Sequence, residues 1–250
     1  MLLAVSKRFK QKYPDKKFPN TRSFCIGEIL TPKMEEEISG VFQGGVTNIL
    51  GTAETHHVGW SCKEKGFHVE SDTTILEVLN QQNKRQKTGK TGFLTYTSLI
   101  NEANPILRYK NYDLAVQREK CRCKTTFDRV GEIRGTLNTL IPVSDNELIC
   151  PDILLDSLAD LKEVLTHHLY VKKDKMTLKI LPNHTISEET VKIIKYRLRN
   201  LLGLKNVFVE KSEKPAYTPG GKLRTVISDK EVENPLDKLR YHDPTKFFSR

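Results

Sequence analysis

Ser187 opens the most regular periodic segment of the chain. Val191, Ile194, Leu198 and Leu201 follow at helical spacing, and Gly203 stands just past the last of them. A serine before the first turn accepts an orphan amide, a glycine after the last turn takes the left-handed conformation, and the apolar stripe demands a covering layer. Flanking residues supply that layer. His167 to Val171 and Met176 to Leu181 read as strands joined across a turn at Asp174, and Val207 to Glu210 reads as a third. A helix is predicted over 151–163, carrying Ile153, Leu154, Leu158 and Leu161. Together these elements predict a small α+β unit over about 131–228, followed by a polar, extended tail at 229–250.

The first 130 residues are more irregular. Leu2, Val5 and Phe9 are spaced for one helical face, and Ser23 to Ile26 is a short apolar strand. Thr31-Pro32 marks a helix start, with proline at the first helical position. Ile38, Val41 and Phe42 give that helix its buried face, and Gly44-Gly45 are expected to end it. Val46 to Leu50 reads as a strand running into Gly51-Thr52-Ala53-Glu54. Residues 67–80 and 91–99 read as strands across a polar turn at 81–90. Within that turn, Lys87-Thr88-Gly89-Lys90-Thr91-Gly92 lacks the upstream glycine of a phosphate loop and reads as a hairpin. His167-His168 read as an exposed/buried alternation, and Lys172, Lys173 and Lys175 as a wet hairpin tip.

Of the 250 residues, 41 are basic and 31 acidic, a formal net charge of +10. Such a field attracts phosphate-bearing ligands. The cations are scattered and no aromatic stacking strand accompanies them, so nucleic acid is not the expected partner. No apolar run approaches the roughly 20 residues of a membrane span, and Met1 to Lys10 lacks the core of a secretory signal. Five cysteines, an odd number in a long chain, fit a reducing cytoplasm rather than a disulfide framework.

Four short motifs occur in a telling order. Cys25-Ile26-Gly27-Glu28 is followed by Gly51-Thr52-Ala53-Glu54, then by Arg108-Tyr109-Lys110-Asn111-Tyr112-Asp113, then by Thr218-Pro219-Gly220-Gly221-Lys222. This order resembles the adenylate-forming ligases, in particular the phenylacetate–coenzyme A ligase branch, from about Arg22 to Ser228. The resemblance implies the distal part of an α/β, AMP-binding N-terminal domain with a β-rich end over 1–130, then an α+β lid over 131–228. It implies ATP-dependent activation of a small-molecule carboxylate: an acyl-adenylate and pyrophosphate form, and coenzyme A or a carrier thiol takes the acyl group. Gly51, Thr52, Glu54 and Asp113 would meet the nucleotide. Glu54 would help hold Mg²⁺, Asp113 would accept from the ribose hydroxyls, and Lys222 would act as the adenylation lysine.

The pattern also departs from the family. Leu50 replaces an aromatic, Ala53 a threonine and Tyr112 a glycine, while the hinge is reduced to Gly135-Thr136-Leu137-Asn138-Thr139. The resemblance begins where the family's N-terminal domain is more than half complete, beyond its phosphate loop. A split ligase completed by another chain is therefore one expectation, and a catalytically inactive nucleotide-binding or interaction module is the alternative.

Cys62, His68, Cys121 and Cys123 form a separate set suited to structural Zn²⁺. The competing account treats these cysteines as small buried apolar groups. His56 and His57, beside Glu54, read as solvated or packing histidines, with an acyl-carboxylate contact as the alternative.

Overall fold

The computed structural model describes residues 1–172, 175–203, 207–219, 221–228 and 233–240. The turn at Asp174, Lys173, Gly220 and the tail segments 229–232 and 241–250 lie outside the described residues. Among the described residues no helix is long and apolar enough to cross a membrane.

The chain forms two compact units from interleaved segments, not from the consecutive blocks 1–130 and 131–228. One unit comprises Ser23–Ile29 and Val46–Leu137; the other comprises Met1–Arg22, Leu30–Gly45 and the residues from Asn138 onward.

The first unit is all strand. β1 (Ser23–Ile26), β2 (Val46–Thr52), β3 (His56–Ser61), β4 (Phe67–Val69), β5 (Thr74–Leu79), β6 (Thr91–Ser98), β7 (Tyr109–Val116), β8 (Arg129–Val130) and β9 (Ile133–Thr136) make two sheets, ordered β1-β2-β3-β4-β8 and β5-β6-β7-β9. Leu50, Val58, Phe67, Val69, Val78, Leu94, Tyr96, Ala115 and Val130 fill the core of this unit. The predicted strand at 46–50 runs on to Thr52, and β3 is a strand that the histidine-rich segment did not announce. The 81–90 segment joins the antiparallel pair β5–β6 as the hairpin reading expected.

The second unit holds the α+β layer. β10 (Ile141–Ser144) and β11 (Glu147–Ile149) form a ribbon. β12 (Val164–Lys172), β13 (Lys175–Pro182), β14 (Val207–Lys211) and β15 (Val226–Ser228) form a sheet ordered β14-β13-β12-β15. The helices are α1 (Leu2–Lys12), α2 (Pro32–Ser39), α3 (Pro151–Ala159) and α4 (Glu188–Leu202). Ile194, Leu198 and Leu201 of α4 join Leu169, Leu178 and Ile180 of the sheet in one apolar core. Ser187 caps α4 by accepting from Thr190 N at 3.1 Å, and Gly203 ends it at φ 67°. Thr31 caps α2, but that helix stops at Ser39 rather than at Gly44-Gly45; Val41, wholly buried, follows in a turn.

Two further expectations give way to packing. On α1 the buried residues are Ser6 and Lys7, while Val5 is half exposed. The Lys7 ammonium donates to the carbonyls of Leu161 and Val164 at 2.8 and 2.7 Å. Burial lowers its pKa to about 8, with Glu37 and Asp160 opposing. These contacts tie the N-terminal helix to the turn after α3 and to the first residue of β12. The tail is likewise not extended throughout: Pro235, Leu236 and Leu239 are buried, Leu239 bridges Leu148, and Arg240 donates to Leu201 O at 3.0 Å.

Candidate functional site

Glu54 lies in the tight turn between β2 and β3. Thr52 Oγ1 accepts from Thr55 N at 3.0 Å and sits 2.9 Å from Thr55 Oγ1, so the predicted nucleotide contact at Thr52 shapes the turn instead of pointing free. Gly51 is required by space, because a Cβ there would lie 2.2 Å from the His56 carbonyl oxygen. His57, read as solvated or packing, pairs with Glu70 at 3.0 Å.

Asp113 sits on a bulge of β7. Phe93 faces Leu114 and Thr95 faces Lys110, so residues 111–113 loop out opposite Leu94 alone. Bulges of this kind re-aim side chains. Tyr112 holds the loop with φ 65°, a left-handed value unusual for an aromatic residue, at the position where the resembling family has glycine. Asn111 donates to Asp113 Oδ2 at 2.6 Å and accepts from Asp113 N at 3.0 Å.

Two tyrosines connect the two acids. Tyr109 donates to Glu54 Oε1 at 3.0 Å, and Tyr96 donates to Asp113 Oδ2 at 3.4 Å. Burial, then the Asp113 charge, pushes the Tyr96 phenol upward; the hydrogen bond to Glu54 pushes Tyr109 upward. Both hydroxyls therefore remain donors at neutral pH. Tyr96 and Tyr109 stand opposite each other across β6 and β7, so Glu54 and Asp113, separated by nearly sixty residues, converge on one cross-strand tyrosine pair. Tyr109 lies inside a motif the sequence singles out, but Tyr96, on an ordinary strand, carries no sequence signal. Leu50, in the place of the family aromatic, is buried in the core of its unit.

Lys222 belongs to the other unit, on an exposed hairpin. Tyr217 bridges Leu223, Thr218 N donates to Lys222 O at 2.7 Å, and Arg224 N donates to Ala216 O at 2.9 Å. His168 clamps the base. Its Nε2 accepts from Ala216 N at 2.9 Å and its Nδ1 donates to the Arg224 carbonyl. That pattern demands the neutral ring with the proton on Nδ1. His168 and His167 are both buried, at 1% and 7% exposure. The expected alternation fails because both faces of β12 are covered: His167 shares the core face with Leu169 and Val171, and Ala216 and Arg224 lie against His168 on the other.

The cysteine set comes together. Cys62 Sγ is 3.5 Å from Cys121 Sγ and 3.9 Å from Cys123 Sγ, and His68 Nε2 is 3.2 Å from Cys123 Sγ. All four donor atoms fall within 4.8 Å of one another. A tetrahedral zinc with bonds of about 2.3 Å to sulfur and 2.0 Å to nitrogen needs donor separations of roughly 3.5–3.8 Å. The donors therefore fit a metal ion with only small movements. Hydrogen bonds from Thr125 lower the Cys123 thiol to about 6, whereas burial pushes Cys62 upward. His68 Nδ1 is buried without a hydrogen-bond partner, so the ring lacks the outer acceptor that usually orients a metal-bound histidine.

No family model matches the sequence. Phenylacetate-coenzyme A ligase of Thermus thermophilus is 32% identical over 138 residues, 53% of this chain and 31% of that ligase. Among solved structures, 2-hydroxyisobutyryl-CoA ligase in its postadenylation state with 2-HIB-AMP aligns with a TM-score of 0.74 at 19% identity, covering 92% of this chain and 53% of the ligase. This is the adenylate-forming ligase fold. An anthranilate CoA ligase with anthranoyl-AMP aligns with a TM-score of 0.65 at 14% identity, covering 88% of this chain and 45% of that ligase. The chain thus spans about half the length of the solved ligases it matches. The mixed α/β and α+β architecture expected from the motif order is the one observed, and the resemblance to phenylacetate–coenzyme A ligase holds at the level of sequence as well.

Proposed function

We propose that this chain carries the distal, nucleotide-facing part of an ATP-dependent acyl-adenylating ligase. In this reading a small-molecule carboxylate attacks the α-phosphate of ATP, pyrophosphate leaves, and coenzyme A or a carrier thiol accepts the acyl group. The observation that supports it best is the convergence of Glu54 and Asp113 on Tyr109 and Tyr96, within a fold shared with ligases solved with acyl-adenylates. Asp113, oriented by Asn111, would accept from ribose hydroxyls. Glu54 is a hard oxygen donor suited to Mg²⁺, and bound Mg²⁺ would screen phosphate charge. Lys222, on its His168-clamped hairpin, would bring positive charge to the reacting carboxylate and phosphate. The remainder of the site would come from the part of the ligase fold that this chain does not span, and Cys62, His68, Cys121 and Cys123 would hold a structural zinc.

Leu50 and Tyr112 favour a second reading, a nucleotide-binding relative without turnover. A buried Leu50 offers adenine no stacking face.

Equilibrium binding of AMP to the purified chain tests the shared core of both readings. AMP binds, and Asp113→Ala weakens it at least about tenfold, as expected for losing a charged hydrogen-bond acceptor. No AMP binding overturns both readings. Pyrophosphate release from ATP and carboxylates supports the ligase; AMP binding without release, once a complementing polypeptide is present, supports the inactive relative.

A further inference from the structure

The sulfur cluster divides into two pairs. Cys62 Sγ meets Cys121 Sγ at 3.5 Å, whereas Cys123 Sγ lies 3.9 Å from Cys62 and is met at 3.2 Å by His68 Nε2. A disulfide bond is about 2.05 Å long, so Cys62 and Cys121 bond after closing by only about 1.5 Å. Cys62 stands just past the end of β3, and Cys121 lies in the loop between β7 and β8. Residues 117–128 of that loop carry no helix or strand, so the loop can supply the movement.

Small reagents reach these sulfurs. Cys62, Cys121 and Cys123 are each partly exposed, whereas Cys150 is buried at 2% exposure. Oxidation of an accessible thiolate ends in a bridge when a second sulfur stands ready to resolve it, and otherwise runs on to sulfinic acid. Cys62 and Cys121 supply that pairing across 59 residues of chain.

We propose that Cys62 and Cys121 form a reversible disulfide under hydroperoxide, and that closing it expels the ion held by the four donors. One sulfur attacks a peroxide oxygen: an S–O bond forms, the O–O bond breaks and hydroxide leaves. The second sulfur attacks the first: the S–S bond forms, the S–O bond breaks and another hydroxide leaves. Solvent protons convert both hydroxides to water, and the two electrons that the sulfurs give up reduce the peroxide. The bridge consumes two of the four donors, and Cys123 with His68 is too small a set to hold tetrahedral zinc. In place of the ion, the bridge then links the end of β3 to the 117–128 loop. The bridge stands on the sulfur geometry; only the expulsion rests on the zinc reading above.

Trp60 reports on the site from within. It is the chain's single tryptophan, it pairs with His68 across β3 and β4, and the two ring centroids are 6.0 Å apart. The 250-residue protein, purified without chelator, is treated with a small molar excess of hydrogen peroxide beside a zinc-responsive dye. About one equivalent of zinc appears, Trp60 emission changes on the same time course, and non-reducing peptide maps join Cys62 to Cys121. Cleavage after Arg122 separates Cys121 from Cys123, so the maps tell the two possible bridges apart. Dithiothreitol opens the bridge and zinc rebinds. Cys25→Ser leaves both the bridge and the zinc release unchanged, while Cys121→Ser abolishes the bridge. The inference falls if peroxide joins Cys62 to Cys123 instead, if the sulfurs pass to sulfinic acid without a bridge, or if zinc stays fully bound in the bridged protein. A Cys62–Cys121 bridge in protein that purifies without zinc removes the zinc reading and supports the bridge, while bound zinc with no bridge does the reverse.

Discussion

Replacing His168 with phenylalanine preserves much of a buried ring while removing both ends of the clamp beneath the Lys222 hairpin. The Ala216 amide loses its acceptor and the Arg224 carbonyl its donor. Each neutral hydrogen bond contributes about 1 kcal/mol net, and an orphaned buried partner costs about 1–3 kcal/mol. Ala216 is half-buried and Arg224 exposed, so water recovers part of the loss. About 2 kcal/mol remains, a roughly 30-fold rise in local opening of residues 216–224. Amide exchange at Ala216 and Arg224, followed by NMR, reads this directly and should accelerate by that factor, while α4 amides change little. His168→Gln, which keeps a donor and an acceptor, should recover part of the protection. In the parent protein, ¹⁵N spectra should show Nδ1 protonated and Nε2 bare. Unchanged exchange at Ala216 in His168→Phe would refute the clamp, as would a protonated Nε2.

The other predictions concern strain, acid and metal. Tyr112→Gly relieves a left-handed φ on an exposed aromatic and should stabilise the fold by up to about 1 kcal/mol, seen as a higher urea midpoint. Burial above all, with the Lys7 ammonium adding to it, lowers His167 to about 3. The unfolded chain takes up that proton below about 6.5 while the folded chain does not, so stability should fall by roughly 1.4 kcal/mol per pH unit from about 6.5 toward 3. His167→Asn, lacking an imidazole to titrate, should flatten that slope in urea titrations. Protein purified without chelator should carry about one equivalent of zinc, and Cys123→Ser should lower both the zinc content and the melting temperature.

The sequence discloses whatever is decided locally. Ser187 and Gly203 bracket α4 as expected, and Thr31-Pro32 starts α2, because caps act within one turn of chain. Two glycines at 44–45 predict the end of α2, yet the helix stops at Ser39, and Ile38 and Val41 are buried on either side of the turn at Gly40. β3 carries no strand signature in the sequence, because His56, His57 and Gly59 break the alternation of a half-buried strand and its pairing partners are β2 and β4. His167 and His168 read as alternating because nothing in residues 164–172 reveals that Ala216 and Arg224 cover the face opposite the core. The cysteine set was legible as residue types, though only folding brings Cys62 beside Cys121 and Cys123. The pairing of Glu54 with Asp113 came from motif order alone, and the tyrosines that link them were not foreseen.

Lys7 finds its acceptors 154 and 157 residues further along the chain. During synthesis at about 5–20 residues per second, the N-terminal helix therefore waits roughly 8–30 s for the carbonyls that hold it. The strand-rich unit, complete by Leu137, can assemble in that interval. A ribosome stalled once residue 137 has left its exit tunnel but before Leu161 emerges would leave that unit formed and the helix still searching, with the Lys7 ammonium in water.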